Sequence, residues 1–518
     1  MAVKFSLRNP FCVLGLVVFW RVLLLVFTVQ PIPANDGFYF DGAVVNWFWH
    51  GEYCNPSITV CFPISGQQVF SAYPPLYQAV LFGWMLLFGP TLLASMALHV
   101  ALFAVAGFLA LSAVKNFFPA ATGYALVPLL FFGFTFDDRP EVLAYCFGMG
   151  SLWLVGQSIR DGATWRTTAG IALALLGTLY TSCIVGALYF GAGFLAVAVT
   201  WLQGRKLFPF APFIAAAVLF VLGVWAIARF EPLWWAGFQE NARIQPVVNT
   251  GLHAPGPGEL LKLARTAPVF LVALGLLPFL FARRQEIISR SGPWLPLVAG
   301  IFLMGWVMLL ADLTLLAANY VGHVLFVQIL LAAGLLALAE NYFPDRKRSL
   351  RAVLLGCGLL ISVRAIGMST WGLACAWKNS YQSTQAVLRT ELEPFVKTNT
   401  PVMLSSAFLY RATAMGVTTP IYCDWYFDHA HWTNHAQVSA LIRYQPAKLV
   451  LTQFDFHRAF VPVIAELRQQ PGLVEIQVRD FAAVRTPDSI PSLQRVVQNI
   501  SWAPVIVDLA WKKLEPAR

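Results

Sequence analysis

Charge is the scarcest property of this sequence. Only 12% of its 518 residues are Asp, Glu, Lys or Arg, about half the share in soluble domains, while 58% are hydrophobic and the mean hydropathy is +0.66. A soluble globular chain is excluded. No C-x-x-C pair occurs among the eight cysteines, which excludes a zinc ribbon or a thioredoxin-type centre. No basic run is interleaved with aromatics, so the net charge of +10 does not point to nucleic acid. Repeats of fixed period and low-complexity segments are also missing.

What is present instead is a series of apolar runs near the length of a bilayer span. They fall at about 11–30, 92–114, 120–136, 142–159, 168–182, 185–202, 209–228, 267–282, 294–311, 322–340 and 352–374, about eleven in all. The first holds Arg21 and is followed by no small-residue cleavage site, so it reads as an uncleaved span. With the N-terminus in the cytoplasm, fourteen Lys and Arg residues fall in inner loops, and only Arg139, Arg229, Arg243, Lys262 and Arg265 in the outer loops before the C-terminal domain. That asymmetry is the positive-inside pattern. The run from Pro74 to Gly89 is too short to cross and reads as re-entrant or juxtamembrane. Residues 1–375 thus form a polytopic helical membrane domain, with an outer loop at 31–91, and 376–518 form a soluble extracytoplasmic α/β domain. Strands are predicted at 401–405 and 448–452, and a helix at 460–470 closed by Pro471-Gly472.

Acids are so few in the membrane part that their positions carry information. The first 230 residues hold Asp36, Asp41, Glu52, Asp137, Asp138, Glu141 and Asp161, and all but Asp161 fall on the outer side. They gather around 35–41 and 136–141. Wet loops explain any single acid; two clusters on one face favour a site needing a base or a metal at the membrane surface. Aromatics crowd the first cluster, as in helices lying at headgroup level. His99 reads as an interior packing or hydrogen-bonding residue.

Four motifs carry a family resemblance. Asn35-Asp36-Gly37-Phe38-Tyr39 is similar to an acidic D-E-x-x-Y signature, Tyr73-Pro74-Pro75-Leu76-Tyr77 to a P-P-L-Y juxtamembrane start, and Arg139-Pro140-Glu141 to an R-P-D. The aromatic stretch Leu233–Arg243, with Glu240 near its end, is similar to a loop after the seventh span. Together these resemble the membrane glycosyltransferases of the GT-C fold, especially bacterial relatives of the protein mannosyltransferases and of the lipid A aminoarabinose transferase (glycosyltransferase families 39 and 83). Asn35 replaces the family's first acid, Glu141 its R-P-D aspartate, and Asn319-Tyr320 its late Arg-Tyr pair.

The resemblance implies inverting transfer of a sugar from a polyprenyl-phosphate carrier to a glycan, lipid or protein acceptor outside a bacterial inner or plasma membrane. Asp36 is the expected base, with Asp41, Asp138 and Glu141 as further catalytic acids. Arg139, Arg243, Lys262 and Arg265 are expected to meet the donor phosphate, and Tyr39, Tyr77, Glu240 and Tyr320 the substrate. Asp36 and Glu141 could alternatively hold a divalent magnesium or manganese ion. Cys54 and Cys61 could form a disulfide in an oxidising compartment. The segment Cys423–His435 groups His429, His431 and His435 with two aspartates, which suits either a metal or a polar surface loop. A transporter or a non-catalytic envelope-assembly protein remains the alternative reading.

Overall fold

The structure, a computed structural model, describes residues 9–29, 35–58, 62–71, 73–118, 139–202, 210–248, 254–290, 294–314, 323–376, 379–398, 400–417, 420–423, 434–482 and 501–512. Among these, seven helices are long and apolar enough to cross a bilayer: α1 (Pro10–Thr28), α5 (Leu92–Phe117), α6 (Glu141–Asp161), α8 (Cys183–Leu202), α9 (Ala211–Phe230), α14 (Trp294–Thr314) and α15 (Leu325–Tyr342). An eighth candidate is a pair, α11 (Pro257–Thr266) and α12 (Pro268–Ala282), bent by 90°. The spans expected at 168–182 and 352–374 correspond to α7 (Trp165–Thr181) and α16 (Lys347–Ala376). The span expected at 120–136 lies outside the described residues. The single span expected at 267–282 is the straight limb of the bent pair, because Pro268 removes an amide donor just where the chain turns.

Composition sorts these helices. The 18-residue window of α15 is 89% buried and that of α9 only 17%, so α15 is the central helix of the bundle, apolar on every side, and α9 an edge helix facing lipid. Small residues permit close approach within the bundle: a Cβ on Gly300 of α14 would lie 2.2 Å from the Ala192 carbonyl oxygen of α8.

Above the bundle lies a layer of shorter elements: α2 (Asn35–His50), α3 (Pro63–Gln67), α4 (Leu76–Phe88) and α10 (Pro232–Val248). At 13 residues α4 reaches roughly 20 Å, short of a hydrocarbon core of about 30 Å.

The C-terminal part carries a five-stranded sheet of order β2-β1-β3-β5-β4, formed by Val402–Ser405 (β1), Pro420–Cys423 (β2), Lys448–Thr452 (β3), Leu473–Asp480 (β4) and Pro504–Trp511 (β5). The first three strands run parallel and β5 is antiparallel to both β3 and β4. Alternation along the strands divides two cores. Met403, Leu449, Leu451 and Val507 pack with Val438, Leu441 and Leu467 from α19 (Asn434–Tyr444) and α20 (Val461–Leu467). On the other face, Val402, Leu404, Val450 and Ile506 join Leu388 and Leu392 of α17 (Tyr381–Leu392) and α18 (Leu409–Met415), and this core is continuous with Phe38, Tyr39, Phe70 and Tyr77 of the outer layer. Trp502 seals the junction, its indole N–H donating to the Val29 carbonyl at 3.1 Å.

Candidate active site

The outer layer is organised around α2, whose residues 37–46 are all buried. Asn55 donates to the Tyr39 carbonyl at 2.6 Å and holds the following loop against the helix. Tyr39 itself donates to Asn241 Oδ1 of α10 at 2.6 Å, and the Asn241 amide donates to Ser65 Oγ of α3 at 3.0 Å. Glu240, next in sequence, accepts from the Ile64 backbone N–H at 3.2 Å, at the start of α3. Burial raises the Glu240 carboxyl above its usual range, opposed by the amides of Ile64 and Ser65. The approach of α10 depends on Gly237: a Cβ there would lie 2.2 Å from Ser71 Oγ.

Asp41, one and a half turns further along α2 than position 36, is buried and accepts three hydroxyl bonds. These come from Tyr77 of α4 at 2.8 Å, Ser95 of α5 at 2.5 Å and Tyr410 of α18 at 2.7 Å. His99 completes the cluster, with Nε2 3.1 Å from the Tyr77 hydroxyl and Nδ1 2.9 Å from the Ser95 carbonyl. Nδ1 must donate there, since a carbonyl only accepts. Burial raises the Asp41 carboxyl, while His99 and the three hydroxyls work against it. Asp41 and Tyr77 are therefore committed to each other, and their cluster ties the sheet-bearing part to the helical bundle.

A third constellation lies beside the first. Arg139 meets Glu141 with two N–H groups, each at 3.2 Å, in the planar fork that suits a carboxylate. Tyr73 donates to the same carboxylate at 3.4 Å, and its ring lies 4.7 Å from that of Phe40, one turn along α2 from position 36. Glu141 is buried at the head of α6. Tyr145, one turn below it, is within electrostatic reach of Glu141, Arg139 and Asp312. The sequence reading passed over Asp312. It is fully buried near the end of α14, paired with His323 Nδ1 at 3.4 Å.

The remaining cations are less enclosed. Arg243 is exposed on α10, and Lys262 and Arg265 are half-buried on α11. Leu260 and Leu261 are exposed beside them. A short amphipathic helix set at right angles to α12 suits the membrane surface, where a lipid phosphate resides.

Position 36 is described through its backbone alone, in the first turn of α2; Asp138, Tyr320, His429 and His431 lie outside the described residues, as does the side chain of His435. Cys54 is a free, buried thiol that accepts from the Asn46 amide at 3.3 Å, and Cys61 lies outside the described residues. Burial, with the Glu52 carboxylate nearby, pushes the Cys54 thiol up to about 11. Both oxygens of Glu141 accept from the Arg139 guanidinium. Among the described residues no three His, Cys, Asp or Glu side chains are grouped to hold a metal.

No family model and no curated protein matches the chain. Among solved structures, ArnT from Cupriavidus metallidurans bound to undecaprenyl phosphate is similar over 95% of this chain and 98% of its own, at 14% identity and a TM-score of 0.51. Its apo form aligns over 95% and 97% at 12% identity and a TM-score of 0.47. The apo oligosaccharyltransferase of Archaeoglobus fulgidus aligns over 90% and 72%, at 12% identity and a TM-score of 0.42. A match running almost end to end through both the bundle and the sheet establishes architecture: the chain has the GT-C fold of integral-membrane glycosyltransferases.

Proposed function

We propose that this protein is an inverting membrane glycosyltransferase that moves a sugar from a polyprenyl-phosphate donor to an acceptor hydroxyl or amine at the extracytoplasmic face, with Asp36 as general base. One observation carries the reading. Four segments far apart in sequence, 35–41, 73–77, 139–141 and 233–243, converge in one layer through hydrogen bonds from Tyr39 to Asn241, Tyr73 to Glu141 and Tyr77 to Asp41. The ArnT structure that shares the fold holds undecaprenyl phosphate, which supports a donor of that chemistry here.

The Asp36 carboxylate takes the acceptor proton as the oxygen or nitrogen attacks the anomeric carbon. The carbon–oxygen bond to phosphate breaks, and polyprenyl phosphate leaves with the electron pair. Its growing negative charge requires cations that are already oriented. Lys262 and Arg265 on the surface-lying α11 and Arg243 on α10 fill that role, while Arg139 stays fixed by Glu141. Asp41 positions α2 and takes no proton from substrate. The N-terminus is cytoplasmic and the sheet domain extracytoplasmic, on the charge asymmetry of the loops.

The test is purified protein in liposomes given a polyprenyl-phosphate sugar, with release of polyprenyl phosphate measured. Wild-type protein should release it and Asp36→Asn should not, with equal recovery of folded protein. No release by wild type across a panel of sugars overturns the transferase reading. Wild-type rates in Asp36→Asn overturn the base assignment alone.

A further inference from the structure

At the opposite, basic end of the bundle, α12, α15 and the start of α16 line an apolar crevice. Leu276 and Leu280 of α12 form one wall, Leu335 and Leu338 of α15 the other, and Phe279 and Arg346 stand at the mouth. Leu335 lies seven residues before the end of α15, so the crevice runs roughly 10 Å into the hydrocarbon. Pro278 lies inside α12 and removes one rung of that helix's hydrogen bonding beside the opening.

The mouth is strongly basic. Arg283, Arg284, Arg346, Lys347, Arg348 and Arg351 surround it, against Glu286, Glu340 and Asp345. Glu340 takes up Lys347 at 3.0 Å and Arg351 at 2.6 Å, and Glu286 lies 3.8 Å from Arg283. Arg346 meets no carboxylate among the described residues: it is exposed, with its guanidinium over the Phe279 ring at 5.5 Å. The arginine stem is thereby laid against the crevice wall while its planar donors face the headgroup region.

An apolar slot headed by an arginine with no acid partner among the described residues matches one kind of molecule, an anionic phospholipid. We infer that this crevice binds an anionic phospholipid of the leaflet at the basic end of the bundle, an acyl chain lying between α12 and α15 and the phosphate on Arg346. The charge excess at the mouth selects the anionic headgroup, since a zwitterionic lipid would bring a cation among the arginines. This inference is independent of the proposed transferase activity.

Native mass spectrometry of the full-length protein after detergent exchange tests it, with equal phosphatidylglycerol and phosphatidylcholine supplied. Wild-type protein should retain one phosphatidylglycerol per chain, at least tenfold over phosphatidylcholine. Arg346→Glu should remove that preference, and Leu280→Trp, which fills the slot, should remove retention of either lipid. Arg166→Glu, exposed at the start of α7 and not lining the crevice, should behave as wild type. Equal retention of both lipids by wild type, or undiminished phosphatidylglycerol in both Arg346→Glu and Leu280→Trp, overturns the inference. So does displacement of the retained lipid by stoichiometric polyprenyl phosphate, which would make the slot a donor-tail site.

Discussion

Tyr410→Phe isolates the contact by which the sheet-bearing part holds the helical bundle. The substitution leaves ring volume intact and removes one hydroxyl from the buried Asp41 carboxylate, which keeps Tyr77 and Ser95. A hydrogen bond to a charged group contributes about 1.5–3 kcal/mol. With two donors remaining, the lower part of that range applies, about 1.5–2 kcal/mol, or roughly a tenfold to thirtyfold increase in local opening at the junction. The pH dependence has a definite sign. Burial holds the Asp41 carboxyl above its ordinary value, so its favourable contribution is full in acid and lost as pH rises through the folded value. A donor to the carboxylate offsets that loss, so the defect should grow as pH rises through the folded value. Hydrogen exchange read at Leu409–Met415 and at Phe38–Val45 measures it, and Asp41→Asn should loosen the same two segments. Wild-type exchange in both segments for both variants would refute the assignment of Asp41 as the junction's anchor. Residual transfer in Tyr410→Phe, set against its loss in Asp36→Asn, separates positioning from chemistry.

Gly237→Ala should push α10 off the outer layer, since the added Cβ would overlap Ser71 Oγ; overpacking of this kind costs about 1–3 kcal/mol. Transfer should fall more than thermal stability does, and an unchanged turnover would contradict the role given to α10. Glu391 is held down at about 2, first by the Arg479 guanidinium and then by Lys448, from an ordinary 4.5. That drop corresponds to about 3 kcal/mol before solvent screening and about 1–2 kcal/mol after it. The stabilisation is complete above pH 4.5 and lost as pH falls toward 2, so an acid-unfolding scan of Glu391→Gln should be flatter over that window. Cys54 should resist alkylation in the folded protein and react fully in denaturant without added reductant; a requirement for reductant would mean that it is paired.

Local chemistry made the architecture legible. Apolar runs fix where helices lie because an unpaired backbone in lipid has no alternative partner, and the runs at 11–30, 92–114 and 185–202 coincide with α1, α5 and α8. The short strands around Val402–Ser405 and Lys448–Thr452 were equally readable, since a four- or five-residue apolar run between turn signals has few other uses. The sequence also singled out the segments that meet in the outer layer, because acids and motif prolines are rare in so apolar a chain. It could not divide roles among those acids. Asp36 and Asp41 are near neighbours along one helix, yet the hydroxyls that occupy Asp41 come from residues 77, 95 and 410, and no local pattern encodes contacts over such separations. Asp312 shows the complementary case: an acid inside an apolar span marks a candidate functional position, but its partner His323 and its reach to Tyr145 exist only once three helices pack. Composition and hydropathy thus determined the solvent in which the chain folds, most of the long helices and two of the strands. Packing between distant segments decided which charged groups were neutralised by neighbours and which stayed exposed, because burial and hydrogen-bond partners are properties of contacts and not of residues.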